Sequence, residues 1–171
     1  MMKKLFMLAL CALLLASPAL AEAAPLTLED DMGLYVGGEW FPILNDFTAL
    51  KDALGEPDEM IAAPSCVFKG DDKEFRYDGL SIYTNPLGDM DVWFEAYITG
   101  GDTVTARGIG IGASQEDVIA AYGDGFYSEG EGMMTYNTSG DANDYASPCV
   151  IFTLENGAVS CIDIYYPTNT L

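Results

Sequence analysis

The sequence predicts an α+β fold of two tandem helix-plus-antiparallel-meander repeats, with the helices packed on one face of the sheet. A helix unit stands out in Gly108–Gly125: Ser114 takes an N-cap position with Asp117 three residues on, Val118, Ala121 and Tyr122 recur at helical spacing, and Gly123 supplies a stop. Its echo lies in Trp40–Pro57, where Asp46, Leu50, Ala53, Leu54 and Gly55 take the same places 68 residues earlier. Between and after these units, glycine- and aspartate-rich turns cut the chain into short strands.

Taken in order, residues 1–21 read as a secretory signal, with Lys3 and Lys4, an apolar Leu5–Leu15 that includes Cys11, and the small-x-small site Ala19-Leu20-Ala21. Cleavage is expected after Ala21, with Ala23 as the alternative, which places the mature chain outside the cell. Residues 22–33 read as a flexible acidic lead-in. The first repeat is assigned to 34–101 and the second to 102–171.

In the first repeat a strand runs from Leu34 through Gly37-Gly38 to Phe41, and a helix follows from Asp46 to Leu54, closed by Gly55 and Pro57. Ile61–Ser65 reads as an irregular connection. Strands are expected at Cys66–Lys69, Lys73–Tyr77, Leu80–Thr84 and Val92–Thr99. In the second repeat Thr103–Ile109 precedes the helix, with weaker strands at Phe126–Ser128 and Met133–Thr138. A terminal hairpin pairs Cys149–Leu154 with Ala158–Tyr165 around Glu155-Asn156-Gly157, because Asn-Gly is a strong hairpin signal.

Strict alternation along Val92–Thr99 places Val92, Phe94, Ala96 and Ile98 against the helices and Trp93, Glu95, Tyr97 and Thr99 on the open face. With Arg76, Tyr83 and Arg107, the residues Trp93, Glu95 and Tyr97 form the candidate binding set. Aromatic and arginine side chains are favoured interface anchors, since they bury much area with few torsions to freeze.

Charge and composition exclude several classes. Seven Lys and Arg against 27 Asp and Glu give a formal net charge of −20. Removing Lys3 and Lys4 with the leader takes it to −22. Nucleic-acid binding needs cations to displace phosphate counterions, and anionic membranes and phosphate-rich cofactors are equally disfavoured. The absence of histidine removes Ser-His-Asp and Cys-His catalysis and most zinc sites. No cofactor, no metal, no membrane span and no enzymatic activity are expected. Asp141–Tyr145 spaces its oxygen donors like a calcium loop, but Ala146 stands where the loop glycine belongs and Phe152 where the glutamate belongs.

Cys66, Cys149 and Cys161 remain after the leader and are the disulfide candidates of an oxidising setting. A three-residue hairpin loop puts Cys149 and Cys161 on a diagonal, long for a bridge, so a bond from Cys66 to either is favoured.

The tandem pattern, with Ser65-Cys66-Val67-Phe68, Lys73–Tyr77, Arg107–Gly112 and Asp117–Gly123, resembles secreted β-lactamase-inhibitor proteins and an uncharacterised group of secreted proteins from Gram-positive bacteria. More distantly it resembles small envelope lipoproteins of outer-membrane assembly. What the resemblance implies is a binding surface on the open, aromatic face of a continuous sheet. The inhibitors carry two disulfides, whereas three cysteines remain here, and their inhibitory loops have no counterpart. The expected function is a secreted, non-enzymatic protein-binding module, an inhibitor by type, whose partner is an extracellular protein. Carbohydrate or cell-wall binding through the same face, with Trp40 and Trp93 as stacking platforms, is the alternative.

Overall fold

The computed structural model describes residues 23–128 and 130–168, so the leader read through Ala21 lies outside the described residues. The chain is mostly β. A two-stranded sheet pairs β1 (Gly33–Val36) with β2 (Glu39–Pro42), and a seven-stranded antiparallel sheet holds the rest. The large sheet comprises β3 (Glu59–Pro64), β4 (Asp71–Tyr77), β5 (Leu80–Leu87), β6 (Met90–Ile98), β7 (Met133–Asn137), β8 (Cys149–Glu155) and β9 (Ala158–Tyr165). Their spatial order is β3-β4-β5-β6-β9-β8-β7, which puts β6 in the middle. The helices are short: α1 (Leu28–Asp31, 4 residues), α2 (Phe47–Leu54, 8 residues) and α3 (Gln115–Tyr122, 8 residues).

The expected α+β fold of two tandem helix-plus-antiparallel-meander repeats is therefore not what forms. The hairpin β1–β2 has no counterpart before α3, where Val104 makes only an isolated bridge to Tyr35. Four strands follow α2 but three follow α3, and β6 pairs directly with β9, fusing both halves into one sheet. The 68-residue echo reflects helix punctuation, chemistry that any short helix needs. Both caps are real. Asp46 accepts from the Thr48 N–H at 2.8 Å, and Ser114 and Asp117 close a reciprocal capping box. Gly55 and Gly123 end their helices at φ 85° and 90°, where a Cβ would be strained.

Several elements depart from expectation. Gly37-Gly38, at φ 60° and 86°, folds the first strand back into the β1–β2 hairpin. Glu59–Pro64 is an edge strand, not an irregular link, and all six of its residues are exposed. Cys66–Lys69 is a bend outside the sheet, Thr103–Ile109 forms no strand, and around Phe126–Ser128 only Tyr127 bridges, to Thr135. The lead-in is packed: Leu26, Asp31 and Met32 are buried.

The core lies between one face of the large sheet and the helices with the β1–β2 hairpin. Phe75, Ile82, Trp93, Ala96, Ile98, Val150, Phe152, Ile162 and Ile164 turn inward from the sheet. Phe47 and Leu50 of α2, Val118 and Tyr122 of α3, and Leu34 and Phe41 of the hairpin meet them. Burying a side chain the size of Phe152 stabilises by roughly 2–3 kcal/mol.

Candidate functional site

One extra residue decides which side chains the open face carries. Tyr83 lies opposite Glu95, but Thr84 lies opposite Trp93, so Phe94 is a bulge residue with no partner on β5. The bulge sits where β6 changes its other neighbour. Glu95–Ile98 pair with β9, the Phe94 carbonyl accepts from Tyr166 N–H, and Trp93 exchanges backbone bonds with Leu44 and Asn45. Trp93 is thereby carried to the core face, with 1 % exposure, while Val92 turns outward opposite Asn85. The expectation of an open-face Trp93 is corrected accordingly.

Four of the six predicted residues, Arg76, Tyr83, Glu95 and Tyr97, share the outward face. Two adjacent cross-strand rows organise it. The first runs Glu74, Tyr83, Glu95, Tyr165, Cys149 and Asn137; the second runs Arg76, Ser81, Tyr97, Asp163, Ile151 and Thr135. Glu95 thus has Tyr83 and Tyr165 on its flanking strands and Tyr97 on its own, and Asp163 sits between Tyr97 and Ile151. Asp163 and Tyr165 were missed as site residues. Alternation with inward Ile162 and Ile164 on the terminal hairpin marks both of them as outward.

The electrostatics of these rows are uneven. Arg76 is held by Glu74 at 2.7 and 3.0 Å and by Glu59 at 2.8 Å, and Tyr83 OH donates to Glu74 at 3.1 Å. Burial, then Asp163 and Glu74, pushes the Glu95 carboxyl up to about 7, and burial pushes Asp163 up to about 6. Asp163 Oδ1 is enclosed without a hydrogen-bond partner. Two half-buried acids therefore lie at the centre of the face, ringed by phenol rings.

Arg107, the sixth predicted residue, is elsewhere. Its Nε donates to Asp31 Oδ1 at 2.7 Å and Nη2 to Asp31 Oδ2 at 3.0 Å, while Nη1 and Nη2 reach the carbonyls of Ala121 and Pro25. Its guanidinium stacks on Tyr122 at 4.8 Å. Arg107 is a clasp that ties the N-terminal segment to α3. Beside it lies a hollow of about 600 Å³ between that segment, α3 and the loop after β7. Two polar groups at the hollow are engaged within the chain: Tyr136 OH donates to Gly123 O, and Asn137 Nδ2 to Asp141 O.

The expected three-residue hairpin loop is also corrected. The hairpin turn holds two residues, Asn156 and Gly157, and a register shift follows between Thr153 and Leu154. Cys149 therefore faces Tyr165 and Cys161 faces Thr153, four residues out of step and roughly 13 Å apart along the strands. Among the described residues no disulfide forms, with Cys66 exposed and Cys149 and Cys161 buried. Asp141 and Asp144 accept from nearby N–H groups of their own loop, and no group of three potential metal ligands occurs among the described residues. No helix among them is long and apolar enough to cross a membrane.

Comparison with known protein families, characterised proteins and solved structures finds no match to this chain.

Proposed function

We propose that the chain is a secreted, non-enzymatic protein-binding module of inhibitor type that recognises an extracellular protein through the outward face of its seven-stranded sheet. One observation carries this: Tyr83, Glu95 and Tyr165 stand in a single cross-strand row at the sheet centre, with Tyr97 beside them and 42 % exposed. Tyrosines on a rigid sheet make low-entropy anchors, and charged groups among them set orientation and partner choice. Burial of Trp93 removes one of the two stacking platforms that saccharide binding relied on, which favours a protein partner.

A photo-crosslinking residue at position 97 tests the proposal in the surroundings of the producing cell. The expected result is a discrete protein adduct that the unmodified chain competes away and a Tyr83→Ser/Tyr97→Ser chain does not. Labelling no stronger than that from a crosslinker at Tyr145, in the loop after β7 and 72 % exposed, overturns it.

A further inference from the structure

The rows on the outward face say what the partner brings to it. We infer that the partner inserts a basic side chain, lysine or arginine, which sits over Glu95 and Asp163 and is boxed by Tyr83, Tyr97 and Tyr165. This rests on the protein-binding proposal and adds the chemistry of the contact.

The geometry is that of a receptor for an organic cation. Glu95 and Asp163 are diagonal neighbours across β6 and β9, about 7–8 Å apart with their Cβ atoms somewhat closer, near enough for one ammonium or guanidinium to meet both carboxylates. Three tyrosine rings occupy the adjoining lattice positions, and aromatic faces attract cations. The cation on the same two rows, Arg76, is already spent on Glu74 and Glu59. Asp163 Oδ1 is enclosed and lacks a donor, although buried polar atoms are normally hydrogen-bonded. A formal charge of −20 attracts a basic surface from a distance and favours no acidic one. A hard metal ion fits less well, since calcium takes six to eight oxygen ligands and rings supply none.

The test uses the intact chain and two defined probes, N-acetylarginine amide and its uncharged analogue N-acetylcitrulline amide, followed by NMR at neutral pH. The arginine probe is expected to shift the Tyr83, Tyr97, Tyr165, Glu95 and Asp163 side-chain signals saturably, and the citrulline probe to leave them in place. Glu95→Gln/Asp163→Asn should weaken binding by on the order of tenfold or more. The charge-matched pair Asp71→Asn/Asp89→Asn, at exposed positions of the described chain, should keep it within about twofold.

Equal weakening by both pairs, equal response to both probes, or shifts confined to other surfaces overturns the inference. A crosslinked adduct at position 97 that survives Glu95→Gln/Asp163→Asn also overturns it while leaving the protein-binding proposal standing. Saturable arginine binding without any adduct does the reverse.

Discussion

Trp93 and Thr84 face each other on the core side of the sheet, although strict alternation puts Trp93 on the open side. The bulge at Phe94 lets one strand serve two partners and sends the bulkiest ring of β6 inward. Trp93→Ala should therefore cost about 3–5 kcal/mol of stability through the cavity it leaves. Tyr97→Ala, two positions past Glu95 and exposed, should cost less than about 1 kcal/mol. Urea denaturation of the two variants checks the contrast. Comparable losses would return Trp93 to the surface.

The acid pair sets a pH dependence opposite to that of a salt bridge. Burial raises Glu95 from 4.5 to about 7 and Asp163 from 3.8 to about 6, so the folded chain holds these protons more tightly than the unfolded one. The stability they contribute is full below the unfolded values and is lost as pH rises through about 6 and then about 7. Tyr83, Tyr97, Tyr165, Cys161 and Glu74 face the pair, and none supplies positive charge. Urea midpoints at about pH 5 and about pH 8 should differ more for the wild type than for Glu95→Gln/Asp163→Asn. An unchanged difference would show that the pair does not titrate in this window.

The Arg107 clasp behaves the other way. Burial pulls Asp31 upward, but hydrogen bonds from Arg107 and Thr27 outweigh it and hold the carboxyl below its ordinary 3.8. Stability from this pair is present above the unfolded value and is lost as pH falls through the folded one. Arg107→Ala leaves a buried carboxylate unpaired and should cost about 3 kcal/mol. Arg107→Lys should recover only part, because an ammonium cannot span both Asp31 oxygens and the two carbonyls. A double-mutant cycle with Asp31→Ala measures the coupling.

Thiol accessibility separates the three cysteines. A chain beginning at Glu22 should take one alkyl group on Cys66 under native conditions and three after denaturation, with no mass change on reduction alone. A loss of native reactivity restored by reductant would mean that Cys66 has found a partner.

Much of the fold was legible where the signal is local. The caps at Asp46 and Ser114, the stops at Gly55 and Gly123, and the Asn156-Gly157 turn all formed as their residue types require. Pairing between distant segments was not legible. Nothing in Cys149–Tyr165 announces that β9, last in the chain, lies beside β6 while β7 takes the far edge. The candidate face was half legible: Arg76, Tyr83, Glu95 and Tyr97 followed simple alternation. Trp93 did not, because a bulge adds one residue without changing local composition. Arg107 escaped because its partner Asp31 lies 76 residues away in a segment read as loose.

The exposed rim at Glu59–Pro64 has a consequence for handling. An uncovered strand is a template on which a second molecule can extend the hydrogen-bonded ladder, and Met60 and Ile61 make this one adhesive. Mutual repulsion between highly anionic copies opposes that stacking at low ionic strength. Its reach shrinks from about 10 Å at 0.1 M salt to about 3 Å at 1 M. Concentrated brine therefore strips away the cushion that keeps neighbouring molecules from zipping together.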